Sequence, residues 1–84
     1  MDLKGKVTFI TGSTRGIGLA IAKAFAQAGA NIVLNGRSAI SAELIAEIEA
    51  FGVQCIGVSG DISDFEEAGR MIQETQEKLG PITI

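Results

Sequence analysis

Two kinds of hydrophobic pattern alternate along the 84 residues of the chain. Short runs rich in β-branched and aromatic residues have the length and composition of strands. These runs lie at residues 7–11, 31–35 and 53–58. Between them, apolar residues recur every three or four positions, as on the buried face of a helix. This spacing predicts helices at residues 17–28, from about 41 to 51, and 65–79.

Local signals predict where these helices begin and end. A glycine follows the last apolar position of each helix, as is typical of C-terminal caps; the three are Gly29, Gly52 and Gly80. Ser63 and Glu66 have the spacing of a capping box at the start of the third helix. Pro81 ends that helix, and residues 82–84 have the composition of a fourth strand. The predicted buried face of the third helix carries Phe65, Ala68, Ile72, Thr75 and Leu79.

The elements follow the order β-α-β-α-β-α-β, and their connections are too short for anything but parallel crossovers. This order predicts an α/β fold of the Rossmann-like type, an incomplete open parallel sheet in three layers with helices on both faces. No repeat, linker or low-complexity tract divides the chain. We therefore expect residues 1–84 to belong to a single domain.

Composition narrows the classes of function. Hydrophobic residues make up 46% of the chain and the mean hydropathy is +0.34, as expected for strands buried on both faces. A net charge of -3 without a basic block excludes nucleic acid as a partner. The apolar runs are too short for a membrane span or a signal peptide, so we expect a cytoplasmic protein that binds no membrane.

The chain has one Cys and no His. Cys55 lies within an apolar run, which predicts a small buried hydrophobic residue rather than a nucleophile or a metal ligand. Without His, neither a His-based metal site nor a Cys-His pair can form. We therefore expect no metal.

A glycine-rich segment between the first strand and the first helix carries the clearest chemical signal. Its spacing is Gly12-x-x-x-Gly16-x-Gly18, which permits a sharp turn, close approach of a ligand and tight packing of helix on strand. The unpaired N–H groups and the dipole at the start of the helix favour an anion. A tight turn without a ligand is the alternative, but the flanking strand and helix favour a dinucleotide phosphate site. A P-loop is disfavoured because no Gly-Lys-Ser/Thr ending is present.

The end of the second strand bears on the choice between NAD and NADP. Proteins that select NAD place Asp or Glu there to accept from the ribose 2′-hydroxyl. This chain instead has the run Asn35-Gly36-Arg37-Ser38, in which a guanidinium is available for a 2′-phosphate. Arg15 in the glycine-rich segment adds a second positive charge. Each Arg has an alternative role as an ordinary solvated residue, but the pair favours NADP as the cofactor.

Asp61 and Ile62 follow the third strand, where the carboxyl ends of parallel strands form a ligand crevice. Asp61 is a candidate acceptor for an adenine amino group, with Ile62 packing on the ring. The alternative is a turn Asp that leads into Ser63. The acidic residues beyond it fit a helix N-terminus better than paired acid/base chemistry.

Taken together, these motifs resemble the short-chain dehydrogenase/reductase family. The resemblance spans the whole chain and rests on Thr11-Gly12-Ser13-Thr14-Arg15-Gly16-Ile17-Gly18, Leu3-x-Gly5-Lys6-Val7 and Asp61-Ile62. Within the family, the chain is similar to bacterial 3-oxoacyl-[acyl-carrier-protein] reductases of fatty-acid synthesis. The resemblance implies NADP(H), a carbonyl substrate of the acyl-thioester kind, and a homo-oligomer for the full-length family.

The resemblance also implies roles for individual residues, with residues 1–84 as the N-terminal NADP-binding half of the domain. The residues of the glycine-rich segment would bind the cofactor, mainly at its pyrophosphate and ribose: Gly12, Ser13, Thr14, Arg15, Gly16, Ile17 and Gly18. Arg37 and Ser38 would bind the 2′-phosphate, and Asp61 and Ile62 the adenine.

The family's catalytic groups are absent from these 84 residues. In the family, an Asn-Asn-Ala-Gly segment follows the fourth strand, and a Ser and a Tyr-x-x-x-Lys pair carry out the reaction, whereas this chain contains no Tyr. Without the phenol group of that Tyr, no general acid is available to protonate the oxygen of a ketone during its reduction. No catalytic residue is therefore predicted, and the chain alone is expected to be inactive.

Three functions stay open on the sequence. The chain could be the cofactor-binding part of an NADP(H)-dependent oxidoreductase that reduces a carbonyl, a non-catalytic dinucleotide-binding module, or a Rossmann fragment that assembles with another chain through its sheet edge. The first is favoured because the chain ends within a predicted strand, and small domains seldom end there.

Overall fold

The computed structural model describes residues 2–84 as three parallel strands that alternate with three helices. The strands are β1 (Val7–Ile10), β2 (Asn31–Gly36) and β3 (Cys55–Ser59), and the helices are α1 (Gly16–Gln27), α2 (Ala42–Glu49) and α3 (Phe65–Leu79). The strands lie in the order β1-β2-β3, with Phe9 beside Val33 and Asn35 beside Val58. The predicted Rossmann-like α/β fold is confirmed.

Residues 82–84 lie along the side of β1 that faces away from β2. The N–H of Thr83 donates to the carbonyl oxygen of Val7 at 2.8 Å, and the N–H of Phe9 donates to that of Ile84 at 3.0 Å. The segment has no regular strand geometry, but it occupies the place of the predicted fourth strand. The spatial order is therefore β3, β2, β1 and then residues 82–84.

The two faces of the sheet carry separate cores, because successive side chains of a strand point to opposite faces. On the face covered by α1 and α2, Ile32, Leu34 and Ile48 are completely buried. Small residues of α1 pack against them, so this helix lies close to the sheet. On the other face, Met71 of α3 packs with Val33. Both faces of β2 are thus covered, which explains its uninterrupted apolar run.

The buried face of α3 agrees with the prediction at Thr75 and, in part, at Ala68 and Leu79, and it differs at Phe65 and Ile72. Met71 and Thr75 are its completely buried residues, whereas Phe65 is 92% exposed and Ile72 is 41% exposed. Burial of a Thr is possible here because its hydroxyl donates to the carbonyl oxygen of Met71 at 2.9 Å. The long side chain of Met71 reaches the sheet and is buried there in place of the predicted Ile72.

The cap at the start of α3 also differs from the prediction. The Asp64 carboxylate accepts from the N–H groups of Glu66 and Glu67 at 3.0 and 3.1 Å. Ser63 does not cap the helix, because its hydroxyl and N–H both donate to Asp61. A carboxylate is favoured at the positive end of the helix dipole. The predicted Ser63–Glu66 capping box is therefore wrong.

Cys55 is buried at the start of β3, as predicted. Burial raises the pKa of its thiol to about 12, with a smaller contribution from the charge of Glu49. The thiol is therefore protonated at neutral pH. Its place in the core beside Ile32 is that of a small hydrophobic residue.

Candidate functional site

The glycine loop, residues 11–18, connects β1 to the start of α1. Gly12 and Gly16 have φ angles of 57° and 61°, in the left-handed region that favours glycine. A Cβ atom on either residue would meet nothing within 4 Å, so the main chain here is open to a ligand. Gly18 is enclosed instead, because a Cβ there would overlap the carbonyl oxygen of Gly12. The loop therefore folds back tightly against the first turn of α1.

The N-terminus of α1 is built differently from those of the other two helices. Side chains cap α2 and α3, through Ser41 and Asp64. Within residues 2–84, α1 has neither a side-chain cap nor an acidic residue in its first turn. The N–H groups of residues 15–18 have no partner inside the helix. Together with the helix dipole, they favour an anion in front of this loop.

Ser13 lies inside the protein. It is completely buried, and its hydroxyl donates to the carbonyl oxygen of Ile10 at 2.7 Å and accepts from the N–H of Asn35 at 2.9 Å. The N–H of Ser13 also donates to the carbonyl oxygen of Asn35 at 2.9 Å. The Ser13 side chain therefore fixes the glycine loop to β2 and is not accessible to a ligand.

Asn35 is the residue of this site that sequence reasoning missed. Its side-chain oxygen accepts from the N–H of Gly12 at 3.3 Å, and its side-chain nitrogen donates to the carbonyl oxygens of Val58 and Gly60 at 3.2 and 3.4 Å. One feature of the sequence could have indicated this role. Asn35 is an amide at the end of an otherwise apolar strand, and a buried polar group needs hydrogen-bond partners.

Two cavities flank Arg37 at the carboxyl end of the sheet. The first, of about 530 Å³, is lined by Gly12, Thr14, Arg15, Gly36, Arg37, Ser38, Ala39, Ile40, Ser41 and Leu44. The structure thus places the two predicted arginines on one cavity, with Thr14 and Ser38 beside them. Among the described residues, the lining includes no carboxylate.

The second cavity, of about 300 Å³, lies between the glycine loop and the loop that follows β3. Its lining consists of Thr11, Gly12, Asn35, Gly36, Arg37, Gly60, Asp61, Ile62 and Ser63. Ile62 is 39% exposed, which leaves an apolar surface for a flat ring. The predicted adenine residues Asp61 and Ile62 therefore share a cavity, and Arg37 borders both cavities.

The Asp61 carboxylate is held by groups on its own loop and by Arg37. The hydroxyl and N–H of Ser63 donate to one carboxylate oxygen at 2.6 and 2.9 Å, and the other oxygen lies 3.9 Å from the Arg37 guanidinium. These hydrogen bonds, chiefly that from the hydroxyl, and the nearby positive charge lower the pKa of Asp61. The carboxylate is therefore charged at neutral pH.

The first turns of α3 support the same loop from behind. Glu67 accepts from the N–H of Asp61 at 3.0 Å, and the Arg70 guanidinium donates to the carbonyl oxygen of Ser59 at 2.8 Å. The end of β3 and the start of the loop are thus tied to α3. Its position relative to the glycine loop follows from the packing of α3 on the sheet.

Comparison with known proteins gives the lineage of this arrangement. The family model for the short chain dehydrogenases matches residues 6–84. The chain belongs to this family. Short-chain dehydrogenases use nicotinamide dinucleotide cofactors, and the open glycine loop with its uncapped helix N-terminus fits the pyrophosphate of such a cofactor.

Curated relatives support the same lineage. The chain is 41% identical to the 3-oxoacyl-[acyl-carrier-protein] reductase FabG of Pseudomonas aeruginosa, over 95% of this chain and 33% of the relative. It is 38% identical to a 2-dehydro-3-deoxy-D-gluconate 5-dehydrogenase of Formosa agariphila, over 99% of this chain and 32% of the relative. The chain thus spans about a third of the length of these relatives.

Solved structures of short-chain dehydrogenases have the same fold. A hydroxysteroid dehydrogenase from Escherichia coli superimposes with a TM-score of 0.89 at 34% identity, over 99% of this chain and 36% of that one.

No helix within residues 2–84 is long and apolar enough to cross a membrane. The same residues contain no group of three or more Asp, Glu, Cys or His side chains that could hold a metal.

Proposed function

We propose that residues 1–84 form the NADP(H)-binding part of a short-chain oxidoreductase that reduces a carbonyl group. The observation that carries the proposal is the first cavity, where Arg15 and Arg37 face the same space without a carboxylate in the described lining. Two guanidinium groups attract a phosphate, and a carboxylate at this place would select the 2′-hydroxyl of NAD. The negative charge of the 2′-phosphate of NADP therefore balances the positive charge of the two arginines in this cavity.

Each part of the cofactor has a proposed position on the chain. The first-turn N–H groups of α1, at residues 16–18, hold the pyrophosphate. Arg15, Arg37 and Ser38 bind the 2′-phosphate in the first cavity. Asp61 accepts from the adenine amino group in the second cavity, and Ile62 packs on the ring. Ser13 acts through the loop that it holds, while Thr14 contributes to the wall of the first cavity.

The nicotinamide of a bound NADPH would supply the hydride for carbonyl reduction. The residues described here orient the other end of the cofactor and provide no acid or base to the substrate. As substrate class we propose a 3-oxoacyl thioester, on the sequence resemblance and on the 41% identity to an enzyme named for that reaction. The full-length protein is then a cytoplasmic homo-oligomer that acts in fatty-acid synthesis.

Charge reversal at Arg37 tests the cofactor proposal. We expect Arg37→Asp to weaken NADPH binding by about tenfold or more, because a charge-assisted phosphate contact is lost, and to change NADH binding far less. The affinities of both cofactors would be measured by calorimetry on the 84-residue chain. Lys4→Asp makes the same charge change ahead of β1, at the opposite end of the sheet, and should leave both affinities unchanged. An NADPH-to-NADH ratio unaltered by Arg37→Asp would contradict the role of Arg37.

A further inference from the structure

The buried amide of Asn35 joins three parts of the chain that are far apart in sequence. Asn35 is 3% exposed. Its oxygen bonds the glycine loop at Gly12, and its nitrogen bonds the exit of β3 at Val58 and Gly60. The same nitrogen lies 3.3 Å from the sulfur of Met71 on α3. A buried amide satisfied in this way holds its neighbours in one arrangement.

These contacts cross the floor of the second cavity. The glycine loop forms one wall of that cavity, residues 60–63 form the other, and Asn35 lies between them. Each wall also has its own main-chain bond to β2, from the N–H of Ser13 to Asn35 and from the N–H of Gly60 to Gly36, both at 2.9 Å. The Asn35 side chain differs from these bonds because it contacts both walls at once.

We propose that Asn35 is a positioning residue that sets the separation of the two walls, and thereby the affinity for the adenosine end of the cofactor. This inference rests on the proposed function, which places adenine in the second cavity. Asn35 acts through Gly12 and Gly60 and does not itself bind the cofactor. Pyrophosphate binding depends on the first turn of α1, so it should be much less sensitive to Asn35.

The variant Asn35→Asp keeps the side-chain contact with one wall and disrupts the contact with the other. The substitution retains an oxygen that can accept from Gly12, but at a pH where the carboxyl group is ionised it replaces the donating nitrogen with a charged oxygen facing the carbonyl oxygens of Val58 and Gly60. The affinity for adenosine 2′,5′-bisphosphate should fall by about tenfold, since a buried hydrogen bond becomes a repulsion. The affinity for inorganic pyrophosphate should change by less than about twofold.

The chain offers a matched control on the same strand. Asn31 begins β2, at the opposite end of the sheet, and its side-chain oxygen accepts from the N–H of Gln54 at 3.0 Å. Asn31→Asp retains this acceptor and makes the same charge change, so neither affinity should respond. If Asn35→Asp does not fold, Asn35→Ser provides a neutral variant, whose shorter side chain loses the contacts with both walls. This variant should again weaken the binding of adenosine 2′,5′-bisphosphate more than the binding of pyrophosphate.

Both ligands would be titrated by calorimetry, and urea unfolding would report the stability of each variant. An equal loss of both affinities, or no loss of either in a folded Asn35 variant, would overturn the positioning role while leaving the proposed function intact. A wild-type chain that binds neither ligand would contradict the proposed function, and the inference would fail with it.

Discussion

At the residue scale, the proposed cofactor site combines buried polar groups, which hold the loops, with exposed polar groups, which are accessible to a ligand. Ser13 and Asn35 are buried and use their side chains to hold the loops. The Arg37 side chain is 83% exposed and is therefore accessible to a ligand. Its contact with Asp61, at 3.9 Å on the surface, contributes little to stability. A doubly charged phosphate can therefore compete with that carboxylate for the guanidinium.

Sequence reasoning named the exposed candidates of this site, but it missed the role of Asn35 and the burial of Ser13. Arg15, Arg37 and Asp61 were identifiable because they lie at fixed places relative to a strand end or a glycine motif. The role of Asn35 was not, because Gly12 and Gly60 are both more than twenty residues away from it. Ser13 was predicted to bind the ligand from its position in the motif, but that position does not indicate the direction of its hydroxyl.

Gly18 provides a residue-scale prediction about the loop. Gly18→Ala should destabilise the chain by roughly 1–3 kcal/mol, because a Cβ would overlap the carbonyl oxygen of Gly12 and push the loop from the helix. Gly69→Ala is the matched control within α3, where a Cβ meets nothing within 4 Å. That variant should gain about 0.5–1 kcal/mol from reduced backbone entropy. Urea unfolding measures both changes, and equal effects would contradict the close contact at Gly18.

At the element scale, the order and direction of strands and helices followed from periodicity and connection length. Parallel strands joined by short crossovers leave few arrangements of the sheet, so the Rossmann-like order was predictable. The details of α3 were not. Its buried face depends on how far Met71 reaches across the sheet, and its cap depends on a competition between Ser63 and Asp64 that spacing alone does not decide.

The cap of α3 yields an element-scale prediction. Asp64→Ala should lower the free energy of unfolding by about 1 kcal/mol, because two N–H groups of the first turn lose their acceptor. Ser63→Ala should cost less, since its hydroxyl bonds Asp61 and does not cap the helix. Thermal and urea unfolding of the two variants give the comparison. A larger loss from Ser63→Ala would restore the capping-box interpretation.

At the scale of the whole molecule, the described chain provides binding groups on one edge of the sheet. The glycine loop and the ends of β2 and β3 converge there, and Arg37 borders both cavities. The catalytic Tyr implied by the family resemblance has no counterpart among the 84 residues. Under the proposed function, cofactor binding by these residues is therefore separate from carbonyl reduction, which needs that Tyr.

This separation predicts binding without turnover. The 84-residue chain mixed with NADPH and an acetoacetyl thioester should show no oxidation of NADPH above the rate without protein, because no general acid is present to protonate the product oxygen. Absorbance of NADPH follows the reaction, with Arg37→Asp as a control for contaminating reductase. Turnover by the wild-type chain that Arg37→Asp abolishes would contradict the expected inactivity.

Amide chemical shifts of an isotope-labelled chain during titration with NADPH would show directly whether the cofactor binds at the proposed residues. We expect saturable shifts at residues 16–18, at Arg37 and Ser38, and at Ile62. NADH should move the first and last of these groups at higher concentration and leave Arg37 and Ser38 nearly unchanged. Shifts confined to other surfaces, or the same response of Arg37 and Ser38 to both cofactors, would contradict a site selective for NADP(H).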